Sequence, residues 1–425
     1  MRELTRERLE PYLAAVLGGP VRVLGFGPLG QSLHADVLKG YGYGVPILVE
    51  FESGGRTRRA VLETMSPGPF GHEHMADRAQ VMLWDHHAFN ALPRHVRSHD
   101  VGAFRSGGEI VSLGDAEELF VLMEFVDGRG YFEDLARLRD LGEAPPLDVA
   151  RADALCDWLV EVHARRGGDP GLYARRLREL VGHGECIMGL TDSYPPRHGF
   201  LSSTLLEAIE HRCLAWRWRL KGRSHRLCRV HGDFHPWNLL FREGTDFTVL
   251  DRSRGEWGDA ADDLTCLTMN YLFFSLQRRG RVEGALAWLF QRFWRRYVEA
   301  TGDREVLEVA APFFAFRGLV MASPLWYPNL DEEVRLALLR FVVRVLDAPS
   351  FDLDSAVDWC ESTRATGLRD LDYGSPRLRQ IDAHGAGPRR AHLGCRRRTR
   401  PPSAPTSSCT AIASRPGRPR GGWSR

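Results

Sequence analysis

Two segments, HGDFHPWNLLF at 231–241 and VLDRSRGEWGD at 249–259, constrain this chain more than any other feature. They place Asp233, Asn238 and Asp251 within one short stretch. Cys228 and Val230 before the loop, and Leu239, Leu240 and Phe241 after it, are apolar anchors. The stretch 247–250 alternates toward a short strand that ends at Asp251. A polar loop pinned between such anchors holds reactive side chains still. An aspartate, an amide and a second aspartate in this order suit phosphoryl transfer from Mg-ATP. Asp233 then orients and deprotonates an attacking hydroxyl, and Asn238 and Asp251 offer hard oxygen ligands to Mg²⁺.

At these residues the chain resembles the aminoglycoside phosphotransferase and choline kinase family, small-molecule kinases with a protein-kinase-like two-lobed fold. HGDFHPWN is similar to the family's catalytic loop, and Leu250-Asp251 to its magnesium-binding aspartate. GDAADDL at 258–264 is similar to its GDPxxDL element, with Asp263 in the second acidic slot. The resemblance covers about 1–350 and is tighter in the C-terminal half. It implies an α+β fold, ATP as co-substrate, Mg²⁺, and a hydroxyl acceptor of aminoglycoside, amino alcohol or sugar-like type. It also implies that His231 braces the turn, leaving Asp233 as the base because a carboxylate accepts a proton late, once charge has developed. His235 is read as packing with Trp237.

A chain of 425 residues has room for two or three domains, and 43% hydrophobic with 26% charged residues is ordinary globular composition. No apolar run approaches the roughly 20 residues that span a bilayer. The charged stretch 1–17 lacks the apolar region of a signal peptide. Eight scattered cysteines without a CxxC pair fit a reducing compartment, so a cytoplasmic protein is expected. Only Lys39 and Lys221 are lysine, so arginine richness reads as a genomic bias rather than a nucleic-acid footprint. Residues 376–425 hold twelve arginines against one acid, whereas the remainder is net acidic. That Arg/Pro/Ser/Gly-rich tail is read as disordered, either a basic arm or a bland extension.

Helical spacing appears at 3–17 and 75–91, and strand-like alternation at 21–24, 33–38, 47–51, 59–63, 109–113 and 119–125. Beyond Gly128 the pattern turns helical, at 149–165, 201–220, 264–277, 284–301 and 331–346. Strands first and helices after is an α+β plan. The expected organisation is a β-rich nucleotide lobe at 1–125, a helical lobe with the catalytic and metal loops at 126–360, and the tail at 361–425.

Gly25, Gly27 and Gly30 spell GxGxxG, but the following QSLHADVL reads as a strand and not the helix a dinucleotide site needs. A glycine hairpin between strands suits a phosphate-covering flap. By resemblance the third strand carries a phosphate-gripping lysine; here Glu63 occupies that slot in AVLET. An inverted pair of Glu63 with Arg78 is the expected substitute, and arginine is itself a competent phosphate ligand. LFVLMEFVDG at 119–128 is similar to the hinge whose main chain reads adenine, which places Glu124 and Val126 at the nucleotide.

Other readings stay open. Glu63 also fits a nucleotide-binding regulator without turnover, or transfer of another part of the nucleotide. The HxD in HGD matches the start of a two-histidine, one-carboxylate iron triad, although the next histidines beyond His235 are His384 and His392. Trp326, Tyr327 and Pro328, followed by Asp331, Glu332 and Glu333, fit either an acceptor pocket for amines or an ordinary acidic helix start.

Overall fold

The computed structural model describes residues 4–29, 43–195 and 201–361. The 33–38 strand, Gly30 and nearly all of the basic tail lie outside the described residues. The first lobe opens with helix α1 (Arg6–Leu17), then β1 (Val21–Pro28), β2 (Ile47–Ser53) and β3 (Arg56–Leu62), an antiparallel sheet in that order. In β2 every second residue is buried, so Ile47, Val49 and Phe51 meet Leu9 and Val23 in a small core. Gly54 and Gly55, at φ 58° and 68°, supply the left-handed two-residue turn between β2 and β3. Helix α2 (Met75–Ala91) and a hairpin of β4 (Gly102–Phe104) and β5 (Ile110–Ser112) complete this lobe.

The second lobe is mainly helical. It begins with β6 (Arg129–Gly130), α3 (Tyr131–Leu141), α4 (Pro146–His163), α5 (Pro170–Gly182), α6 (Ile187–Ser193) and α7 (Ser203–Leu220). Four short strands follow: β7 (Cys228–Arg229), β8 (Leu239–Phe241), β9 (Phe247–Val249) and β10 (Trp257–Gly258). Helices α8 (Ala260–Arg279), α9 (Gly284–Thr301), α10 (Val306–Val309), α11 (Ala311–Ala322) and α12 (Glu332–Asp347) close it. Asp259 caps α8 by accepting the Ala261 N–H at 3.0 Å, and Gly280 ends it at φ 70°. From Ala260 to Leu276 every residue of α8 is buried, because α3, α9, α11 and α12 surround it. Each large apolar side chain removed from water there contributes about 1.5–3 kcal/mol. This buried helix is the post from which the candidate site hangs.

Two sequence expectations differ from the structure. Gly25 and Gly27 are not in a hairpin turn; they lie within β1, paired against β2, with a register shift between Val23 and Gly25. Glycine in a strand marks a bulge, and that is its use here. The strand expected at 119–125 does not form, and no described strand pairs with it. Phe120 is 88% exposed and Leu122 91%, although their side chains favour a sheet. Strand propensity is realised only in a ladder, and among the described residues none forms along this run.

Candidate active site

The loop 231–238 is fastened to α8 through backbone amides. Asp263, fully buried, accepts the His231 N–H at 2.8 Å and the Gly232 N–H at 2.7 Å. His163 of α4 approaches the same carboxylate at 3.0 Å and meets Tyr297 at 2.9 Å through its other nitrogen. Burial alone would raise the Asp263 carboxyl, but the bond from His163 and the amides holds it below its ordinary value. The carboxylates of GDAADDL thus do two jobs: Asp259 caps the helix and Asp263 ties down the loop.

Gly232 adopts φ 87°, where an L side chain is strained, and a β-carbon there would stand 3.2 Å from Cβ of Arg254. Gly232→Ala is expected to cost about 1–2 kcal/mol, read as a lower urea midpoint. An unchanged midpoint would show that the loop relaxes freely.

His231 is buried, with both ring nitrogens engaged. Its Nε2–H donates to the Leu250 carbonyl at 2.9 Å, and Nδ1 accepts the Asp233 N–H at 3.2 Å. Those partners require the neutral imidazole, and burial accordingly lowers its affinity for a proton. His231 is a brace between the loop and the 249–251 strand end. With no free nitrogen it cannot start an iron triad.

Asn238 and Asp251 are brought together by β8 and β9. The Leu250 N–H donates to the Asn238 carbonyl at 2.8 Å, next to the paired Leu239 and Val249. The Asn238 amide nitrogen donates to the Asp233 carbonyl at 3.1 Å, which leaves the amide oxygen as its cation-facing atom. Asp251 takes a left-handed φ of 52°, and its Oδ1 accepts the Ser253 N–H at 3.2 Å. A short aspartate turn of this kind tolerates that backbone and aims the carboxylate outward. An amide oxygen and an exposed carboxylate form a hard-oxygen donor pair that fits Mg²⁺, which keeps waters and takes few protein ligands.

Asp233 stands in a cationic nest that the sequence did not announce. Arg317 of α11 is 5% exposed; its Nη1 donates to Asp233 Oδ1 at 2.6 Å, and its Nη2 to the Gly232 carbonyl and Asp262, both at 2.9 Å. Arg254 lies 3.7 Å from the same oxygen, and His235 Nε2 lies 3.5 Å from Oδ2. His235 therefore does more than pack on Trp237. Burial would raise the Asp233 carboxyl, but His235, Arg317 and Arg254 together hold it well below the usual carboxylate range. Arg254, three residues beyond Asp251, was within reach of motif reading; Arg317, on a helix 84 residues away, carried no local signal. Cys266 Sγ lies 3.9 Å from Asp233, but burial raises its thiol and makes it inert packing.

The nucleotide residues expected in the first lobe are less gathered. Glu63 is exposed just past β3, and no ion pair joins it to Arg78. Arg78 instead turns back over the start of α2, donating to the His72 carbonyl at 2.8 Å and the Glu73 carbonyl at 3.1 Å. The inverted pair does not form because unsatisfied carbonyls nearer in sequence capture the guanidinium. The start of α2 is tied to the second lobe: Arg175 of α5 pairs with Glu73 at 2.5 Å and Asp77 at 2.7 Å. Glu124 is exposed and Val126 half-buried on the unpaired 119–128 stretch.

The sequence profile of APH, described as the phosphotransferase enzyme family, matches residues 81–299, just over half of the chain. The chain belongs to the phosphotransferase enzyme family. It is a phosphotransferase with a β-rich first lobe and a mainly helical second. No curated protein sequence matches it. Among solved structures it is similar to a glucosamine kinase in complex with glucosamine, ADP and inorganic phosphate, at 17% identity and a TM-score of 0.31. That alignment covers 64% of each chain. It is also similar to choline kinase LicA from Streptococcus pneumoniae, at 11% identity and a TM-score of 0.31, covering 80% of this chain and 98% of that one. An ADP-bound aminoglycoside phosphotransferase matches at 14% identity and a TM-score of 0.29, covering 81% and 97%. Such scores mark distant likeness, and membership rests on the family match. No described helix is long and apolar enough to cross a membrane.

Proposed function

We propose that this phosphotransferase moves the γ-phosphoryl of ATP to a hydroxyl of a small molecule, with Mg²⁺ bound by Asn238 and Asp251. The observation that carries this reading is the common frame of the three side chains: Asn238 bonds to the Asp233 main chain, and the strand end bearing Asp251 bonds to Asn238. Asp233 positions the acceptor O–H and takes its proton as the oxygen–phosphorus bond forms and the bond to the ADP leaving group breaks. A carboxylate pinned this low is a weak base in the ground state, so its part is orientation first and proton acceptance late. Magnesium, when bound, supplies charge neutralisation at the phosphates. Positive charge close to the reacting centre comes from Arg254 and Arg317, in keeping with Glu63 standing where a lysine is usual. Gly25, Gly27, Gly30, Glu63, Arg78, Glu124 and Val126 remain the proposed nucleotide-side residues, now without a Glu63–Arg78 pair.

The test is ADP release from Mg-ATP over a panel of sugars, amino alcohols and aminoglycosides. Asp251→Ala is expected to lower turnover about 10²-fold or more, as is removal of Mg²⁺ with EDTA. Full turnover by the variant would remove Asp251 from the metal site. Nucleotide binding without ADP release on any acceptor would favour a regulator.

A further inference from the structure

A cavity of about 480 Å³ opens beside the candidate active site, walled by Phe132, Trp237, Phe273, Phe274, Trp326 and Tyr327. That volume falls in the range of about 300–1,000 Å³ typical of small-molecule sites. Trp237 connects it to the chemistry: its ring lies 5.8 Å from the His235 ring, and His235 lies 3.5 Å from the Asp233 carboxylate. On its other side Trp237 stacks on Phe132 with ring planes 8° apart, which fixes its orientation. We infer that this cavity holds the non-reacting part of the acceptor, and that the acceptor is an uncharged alcohol with a flat apolar face.

The inference rests on the phosphotransfer reading above and narrows its acceptor. Among the described residues, no carboxylate, amine or guanidinium lines the cavity. Of its polar side chains, Gln277 is already engaged, accepting from Arg139 at 3.1 Å and donating to the Phe273 carbonyl at 3.3 Å. Asn329, the Tyr327 hydroxyl and the indole N–H groups of Trp237 and Trp326 remain to meet a polar group. Two guanidiniums bond to the wall residues, Arg139 to Gln277 and Arg335 to the Tyr327 carbonyl, and both have the wrong sign for an amine. Asp331, Glu332 and Glu333 do not reach the wall; they start α12, where a helix N-terminus favours acids. A polyamine would have to bury several ammonium groups with no carboxylate at the wall, and an aromatic face offsets one such charge rather than several. An apolar ring loses no hydrogen bonds by leaving water and gains contact with the aromatic wall.

The test uses the full chain with Mg-ATP and four acceptors: phenyl β-glucoside, glucose, choline and kanamycin. Trp326 is 60% exposed, so Trp326→Ala removes one wall without emptying the core. The phenyl glucoside should have a lower KM than glucose. Trp326→Ala should raise its KM about tenfold, with glucose little affected and Trp326→Phe restoring most of the loss. Calorimetry of the phenyl glucoside alone should show binding that Trp326→Ala weakens by a similar factor. Absence of that binding, an unchanged KM, or preferred turnover of choline or kanamycin overturns the inference. Binding that depends on Trp326 but yields no ADP from any acceptor leaves the cavity assignment standing and defeats the phosphotransfer reading instead.

Discussion

Asp233→Asn should lower kcat for ADP release about 10²–10⁴-fold while leaving the KM for ATP nearly unchanged. Asparagine keeps the shape and an oxygen for the Arg317 bond, so the fold should survive; it cannot take a proton from the acceptor. The bonds from Arg317 to Asp262 and the Gly232 carbonyl also persist and keep the buried guanidinium in place. Matched unfolding curves for wild type and variant separate loss of chemistry from loss of structure. The pH profile sharpens the test. His235, Arg317 and Arg254 hold the Asp233 carboxyl below the usual range against the pull of burial, so its ionised form persists to unusually low pH. Activity that depends on Asp233 ionisation should therefore show no acid limb from this group between pH 5 and 8. A kcat within about threefold of wild type in Asp233→Asn would remove Asp233 from the proton-accepting role.

The largest loss of stability is expected from Arg226→Ala. Arg226 is 2% exposed and bonds to both oxygens of Asp259 at 2.8 Å, to Asp303 at 2.9 Å and to Glu305 at 3.3 Å. Asp259 also accepts Tyr173 OH at 2.9 Å and caps α8. Without the guanidinium, a fully buried carboxylate faces the low-dielectric interior with only neutral donors. Breaking one side of such a network costs about 3–5 kcal/mol, a fall of roughly 10 °C in Tm for a domain of this size. The damage should reach activity, because the same helix holds the loop through Asp263. Asp259 is pushed up by burial, but Arg226 and the other donors bring it below its ordinary value. Its folded-state carboxyl is thus depressed relative to the unfolded chain, so its stabilising contribution is present above about pH 4 and fades as pH falls further toward the folded value. Arg226→Ala should flatten that acid-side slope. Unfolding midpoints between pH 3 and 7 measure both effects, and a Tm within a degree or two of wild type would mean the network carries no net stability.

The motif loop was legible because its information is local. Asp233, Asn238 and Asp251 sit on one continuous stretch whose apolar anchors became β8 and β9. Helical periodicity located α2 and α9 to the residue, and the Gly54-Gly55 turn joined β2 to β3 as expected. The failures have a common cause. The 119–125 run carried strand-forming side chains, yet no described strand pairs with it and no ladder formed. Arg78 carried the right charge for Glu63, but its own helix start offered closer acceptors. His235 read as packing until its distance to Asp233 was known.

By itself, then, the order of residues determined the two-lobed plan, the acidic loop, the amide beside it and most helical spans, since periodicity, turn chemistry and spacing act between near neighbours. Only the tertiary structure decided what surrounds Asp233: Arg317 arrives from α11, Arg254 folds back from the loop after β9, and Asp263 reaches up from α8. Those contacts depend on how buried helices pack, and packing joins side chains that are remote along the chain and that no local pattern pairs in advance.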